Sequence, residues 1–329
     1  MTRKQIVNRN EILSHARDCF GSACGLASLE RFVGGVRKQT FIVQTQRPST
    51  RCLLVVWSSD ISYFAEREDA GFEESQSDAV APLAFRAHTE YLTNLGVNVP
   101  TIFHFGQLES NHHFAFVELI EGSDYDRFRS GATPSARTAV VSEFARQIQR
   151  LHAVQRTYPG GVLESASLDR PSPVDESWDV ALVELRAAAE SEPFMTEHHD
   201  RIREMLGSLR GAIKPRTTYN LVHGELDPSH VLVRESDDAV FLVDIEGIAF
   251  ADLESEHAFL KWRFTEDDYR SLARDDLDEE RTAYYKLRMH VSLVYAGSRL
   301  MMRNHPAREL AQRILTGNLA EVRRIIDTP

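Results

Sequence analysis

Five side chains in the stretch Tyr219 to Phe250 could do chemistry together: His223, Glu225 and His230, then Asp244 and Glu246. Carboxylates orient and deprotonate hydroxyls or hold divalent cations, while imidazoles carry protons and contact phosphate oxygens. A set that mixes the two suits metal-assisted phosphoryl transfer, in which positioning and charge neutralisation supply most of the catalysis. The elements that must position these groups are legible around them. Val231 to Val233 and Val240 to Val243 are short runs rich in Val, Leu and Phe, separated by turn residues Glu235 to Asp238, the pattern of a hairpin of buried strands. His223, Glu225 and His230 precede the first strand, and Asp244 and Glu246 stand where the second runs out. A hairpin turns those two ends toward one another.

The stretch reads Y-N-L-V-H-G-E-L-D-P-S-H-V-L-V-R and, after a polar break, A-V-F-L-V-D-I-E-G-I-A-F. In this it resembles the aminoglycoside and macrolide phosphotransferases, small-molecule kinases with the fold of protein kinases. Their catalytic loop reads H-G-D-x-x-x-x-N and their metal-binding segment I-D-W-E. The resemblance implies that His223 opens the catalytic loop, that Glu225 accepts the proton of the attacking hydroxyl, and that Asp244 binds the metal on the nucleotide phosphates. It departs from the family pattern twice, with Glu225 in place of Asp and His230 in place of Asn. The first change moves the carboxylate outward by one methylene and keeps its chemistry. Mg²⁺ prefers oxygen ligands, so His230 has two roles open to it, metal ligand or contact to a phosphate oxygen or water. Macrolide phosphotransferases also carry His at this place.

Upstream, L-E-R-F-V-G-G-V-R-K-Q-T-F-I-V-Q-T reads as two strands joined across Gly34 and Gly35, and R-C-L-L-V-V-W-S as a third. A glycine turn lets backbone approach a ligand closely, and its N–H groups, with Arg37 and Lys38 beside them, would suit phosphate. An ordinary hairpin with a solvated basic pair is the plainer reading. In the family this is the place of the loop that covers the nucleotide. The family's third strand carries a lysine that holds the phosphates and pairs with a glutamate on the following helix. Aligned on Trp57, this chain has Val55 there, and Lys38 and Arg37 are the nearest substitutes. Glu90, on a helix expected over Ala84 to Leu95, stands where the lysine's partner would be and reads as a surface charge or a partner of Arg37 or Lys38. V-N-V-P-T-I-F-H-F-G and H-H-F-A-F-V-E-L-I-E-G add two strands, completing five. The resemblance places the backbone of Glu118 and Ile120 against adenine.

After Gly122 the periodicity turns helical, with an apolar stripe over Ser135 to His152 and further helices expected at Ser177 to Ala189, Glu197 to Leu209, Arg288 to Met302 and Ala307 to Ile326. Asp252 and Glu256 match by spacing two acids that follow the family's metal aspartate, the second of which buttresses the catalytic loop. An acid-rich helix N-terminus accounts for them equally well. Trp262, Tyr269, Tyr284 and Tyr285 are candidates for an acceptor pocket or for aromatic core.

The totals bound the partners. A chain of 329 residues with net charge −11 does not present the basic surface that nucleic acid requires, whereas an acidic face could attract a cationic small molecule. Cys19, Cys24 and Cys52, without a C-x-x-C pair, make neither a disulfide framework nor a zinc site and read as reduced thiols of a cytoplasmic protein. No secretory signal opens the sequence, and no apolar run reaches the ~20 residues that span a bilayer, so no membrane partner is expected.

The expected fold is α+β, a two-lobed protein-kinase-like fold with a small antiparallel β lobe and a larger, mainly helical lobe. Residues 1–120 would form the nucleotide-binding lobe and 121–329 the catalytic and acceptor-binding lobe. The expected activity is transfer of a phosphoryl group from ATP or GTP, with Mg²⁺ or Mn²⁺, to a hydroxyl of an antibiotic or related natural product, by a monomer or homodimer. Two alternatives stay open: a pseudokinase that binds nucleotide or metabolite without turnover, and a kinase of choline, another amino alcohol or a sugar.

Overall fold

The computed structural model describes residues 7–32, 38–58, 80–166 and 170–328. Gly34, Gly35 and Arg37 therefore lie outside the described residues. Every strand pairing among the described residues is antiparallel, and helices supply the rest, so the chain is mixed α+β. No helix among them is long and apolar enough to cross a membrane. Contacts divide the chain into two compact units. The first takes the described residues up to Val140 and then Ser229–Glu246, and the second takes Val141–Pro228 and the chain from Gly247 onward. These units are drawn differently from a single cut after residue 120, because residues 121–140 and 229–246 pack with the first.

The first unit opens with α1 (Arg9–Phe20), whose N-cap Asn8 accepts from the Asn10 N–H and whose end is marked by Gly21 at φ 106°. β1 (Gly25–Phe32), β2 (Lys38–Gln46) and β3 (Arg51–Trp57) follow, then α2 (Ala81–Asn94), β4 (Ile102–Gln107) and β5 (His113–Glu118). They form one five-stranded sheet in the order β1-β2-β3-β5-β4. Because side chains alternate across a strand, β3 feeds two cores. Cys52, Leu54 and Val56 cluster with Ile12 and Ala16 of α1, while Val55 and Trp57 cluster with Ala81 and Phe85 of α2. This alternation fixes which helix lies on which face of the sheet.

After β6 (Gly122–Asp124) the helix Pro134–Ala153 carries the chain into the second unit, where β7 (Gln155–Arg156), β8 (Gly160–Gly161) and β9 (Tyr219–Val222) are laid down. It returns to the first unit for the hairpin β10 (Val231–Arg234) and β11 (Val240–Leu242), then re-enters the second with β12 (Ala249–Ala251). The hairpin forms where the sequence places it, joined to β6 in a three-stranded sheet ordered β11-β10-β6. β7, β9, β12 and β8 make the second unit's own sheet.

The rest of the second unit is helical. Helices Pro173–Ala189, His199–Ala212, Glu279–Met302 and Arg308–Asp327 share a core that includes Leu185, Ile202, Leu206, Tyr295 and Val322. Their starts are written locally. Ser172 accepts from the Asp175 N–H with proline in the first turn, and Asp278 accepts from the Arg281 N–H ahead of Glu279 and Glu280. Tyr284 and Tyr285 lie inside this core, which removes them as candidates for an acceptor pocket.

Candidate active site

In the first unit, β10 and β11 pair with Val231 opposite Leu242 and Val233 opposite Val240, and the Val243 N–H donates to the His230 carbonyl at 3.0 Å. This brings His230 beside Asp244, with Nε2 3.5 Å from Oδ2. Asp244 has φ 62°, in the left-handed region, and the chain passes from it into a short 3-10 turn, Ile245–Gly247, that carries Glu246. Two neighbouring carboxylates thus project from one tight bend.

The cation that faces them is Lys38, the first residue of β2. Its Nζ lies 2.7 Å from Asp244 Oδ1 and 2.7 Å from Glu246 Oε1. Lys38 is the cross-strand partner of Trp57 and Thr40 that of Val55, so Lys38 emerges on the same face of the sheet as Val55. Val55 is apolar core against α2. Lys38 thus offers an ammonium on the strand beside Val55, two residues along in the register. Burial lowers the pKa of a lysine, but the carboxylates of Glu246 and Asp244 outweigh it and raise Lys38 above its ordinary value.

The acids suit a hard divalent cation. Glu246 Oε2 is buried without a hydrogen-bond partner among the described residues, while Asp244 keeps 37% of its side chain exposed. No group of three or more His, Cys, Asp or Glu among the described residues is arranged to hold a metal on protein ligands alone. Mg²⁺ as a rule takes one or two protein carboxylates and completes its octahedron with phosphate and water oxygens.

α2 contributes a residue that the sequence reading did not single out. Glu90 is exposed, and the carboxylate partners of Lys38 are Asp244 and Glu246. Two residues earlier on the same helix, His88 is buried and its Nδ1 lies 2.9 Å from the Ile245 carbonyl. Helical spacing could have indicated that position 88 faces inward, but its partner is 157 residues away. Glu118 ends β5 with its N–H donated to the Thr101 carbonyl at 2.8 Å, and Ile120 is buried.

The second unit holds His223 and Glu225. β9 runs into the loop, His223 is buried, and Glu225 is exposed. Gly224 has φ 90°, and a Cβ there would sit 2.9 Å from the Gly247 carbonyl oxygen, so the loop needs glycine at this point. Glu256 braces the loop from below. Its Oε1 accepts the His223 N–H at 3.0 Å and its Oε2 the Gly224 N–H at 2.7 Å, while His152 Nε2 lies 3.2 Å from Oε1. Burial opposes the charge of Glu256, yet the hydrogen bond from His152, the His152 and His223 imidazoles and the His223 N–H bring its pKa down to about 2. Asp252, fully buried, accepts from Arg281 at 2.8 Å and from the Tyr285 hydroxyl at 2.7 Å, with Arg216 3.2 Å away. The two acids recognised by their spacing are thus internal struts, one under the loop and one under the helix Leu253–Arg263.

Residues 28–290 match the family model described as the phosphotransferase enzyme family. No curated protein matches the sequence. Among solved structures, the chain is similar to a thermostable mutant of an aminoglycoside phosphotransferase in ternary complex with AMP-PNP and hygromycin B, at 14% identity and TM-score 0.64, covering 97% of this chain and 100% of that one. A spectinomycin phosphotransferase in complex with ADP and spectinomycin superposes with TM-score 0.63 at 12% identity, covering 95% of each chain. A choline kinase from Cryptosporidium parvum gives 0.61 at 13% identity over 97% of each chain. At such identities the likeness establishes a shared fold.

Proposed function

Because the chain belongs to the phosphotransferase enzyme family, we propose that it moves the γ-phosphoryl group of ATP or GTP to a hydroxyl of a small molecule, an antibiotic or related natural product. The observation that carries this is the convergence of Lys38 on Asp244 and Glu246 at 2.7 Å each, a cation and two acids arranged as phosphate and metal require. Lys38 would hold the nucleotide phosphates in the role that Val55 cannot fill. Asp244 and Glu246 would hold Mg²⁺, which when bound draws charge from the β- and γ-phosphate oxygens. His230, beside Asp244, would take a phosphate oxygen or a water. The glycine turn Gly34–Gly35 with Arg37 would cover the phosphates, and the Glu118 carbonyl and Ile120 N–H would take adenine.

Glu225 would accept the proton of the acceptor hydroxyl, His223 and Gly224 setting its place in the loop. As the new bond from the hydroxyl oxygen to phosphorus forms, the bond to the β-phosphate oxygen breaks and the nucleoside diphosphate leaves. Two of the similar structures hold hygromycin B and spectinomycin, and the net charge of −11 suits a cationic acceptor.

The test is to incubate the protein with ATP or GTP, Mg²⁺ or Mn²⁺ and a panel of aminoglycosides, macrolides, nucleoside antibiotics and amino alcohols, following each compound by mass spectrometry. A phosphorylated product whose formation falls about 10²–10⁴-fold in Glu225→Ala is the expected result. Normal turnover by that variant would refute the base assignment. One feature of the sequence favours a second reading, nucleotide binding without turnover: Glu225 and His230 stand where the family's catalytic loop has Asp and Asn. Nucleotide binding with no product from any acceptor would support it.

A further inference from the structure

We propose that His88 is a positioning residue for phosphoryl transfer: from α2 it holds the Asp244–Glu246 bend in the shape that turns both carboxylates toward one cation. This rests on the assignment of Asp244 and Glu246 as the acids of that reaction.

Asp244 sits at φ 62°, a conformation that L-residues other than Asn and Asp seldom hold and that persists only where the surroundings enforce it. The enforcing contacts can be traced on both sides of it. Before the bend, the Leu242 N–H donates to the Asn98 carbonyl at 2.9 Å, the Asn98 amide donates to the Val240 carbonyl at 3.0 Å, and the Val243 N–H donates to His230. After the bend, the Ile245 carbonyl accepts from His88 at 2.9 Å. A carbonyl can only accept, so Nδ1 carries the hydrogen. His88 is 3% exposed, and burial keeps its imidazole below its ordinary pKa despite the Ile245 carbonyl and Glu246. Its helix is anchored in turn, because Ala81 and Phe85 pack with Val55 and Trp57 of β3. His88 thus ties the peptide between the two acids to the face of the sheet from which Lys38 reaches them. Without that tie the Ile245 peptide is free to turn, and the two carboxylates no longer share a direction.

Binding of Mn²⁺ in the presence of ADP, followed by electron paramagnetic resonance, tests this without turnover. His88→Phe keeps an aromatic ring and loses the donor; His88→Asn places an amide nitrogen where Nδ1 stands. Loss of one buried hydrogen bond that presets the site should weaken Mn²⁺ binding roughly tenfold in His88→Phe, while His88→Asn stays within about threefold of the native protein. If His88→Phe does not fold, His88→Leu, which fills the site without a donor, replaces it in the same comparison. Equal Mn²⁺ binding by the native protein and the donor-less variant overturns the role of His88. Failure of the native protein to bind Mn²⁺ with ADP overturns the underlying site assignment instead.

Discussion

Two groups of candidate residues, one in each unit, are held in contrasting ways. In the second unit the loop His223–Glu225 is held by backbone N–H groups donated to Glu256, a carboxylate with no access to solvent. In the first unit the carboxylates of Asp244 and Glu246 face a lysine that keeps 21% of its own side chain exposed. A buried brace cannot change partners without exposing an unpaired charge, so it serves rigidity. A half-open ion pair can exchange partners, which is what the proposed binding of phosphate and metal would need. Carboxylates thus brace a loop in one unit and stand half open beside a lysine in the other.

Three measurements would break or sharpen that contrast. The largest effect is expected from Glu256→Ala, which leaves two N–H groups and His152 without their acceptor and should cost about 3–5 kcal/mol in denaturant unfolding. A loss under 1 kcal/mol would mean that the brace is dispensable. A smaller effect concerns acid. His257 is buried beside this network, with its Nδ1 3.2 Å from the Tyr269 hydroxyl, and burial, then His152, bring its pKa down to about 4. Between the ordinary histidine pKa of about 6.5 and that value the unfolded chain binds a proton that the folded chain does not, so stability falls as pH falls through this window. The expected loss from this group between about pH 7 and pH 5 is on the order of 2 kcal/mol, and His257→Asn should flatten that slope in pH-dependent denaturation. The smallest effect on stability, about 1 kcal/mol or less, is expected for Lys38→Met, because its ion pairs are partly solvated. The same variant should raise KM for nucleotide and lower kcat by an order of magnitude or more. A variant that unfolds easily yet binds nucleotide normally would reverse the comparison.

Much of this was legible before any coordinates. The hairpin could be read because its strands are short apolar runs bounded by polar turns. The five small-unit strands could be read from alternation, and Asp252 with Glu256 from their distance after Asp244. Glu90 stays in solvent, the surface-charge alternative of its two readings, while His88 on the same helix turns inward without having been singled out. Tyr284 and Tyr285 take the core alternative of their two readings, since an aromatic side chain suits a ligand pocket and a core alike, and packing against neighbouring helices decides between them.

By itself the sequence determined the order of elements, the two-residue period that gives β3 two buried faces, and the presence of a loop and an acid segment at the ends of one hairpin. These follow from local periodicity and turn chemistry, which neighbouring residues encode. Only the tertiary structure decided that Lys38 meets acids 206 and 208 residues away, and that α2 reaches the site through His88. Those pairings depend on how β2, α2 and the end of β11 pack against one another, and no local pattern carries the distance between side chains that far apart in the chain.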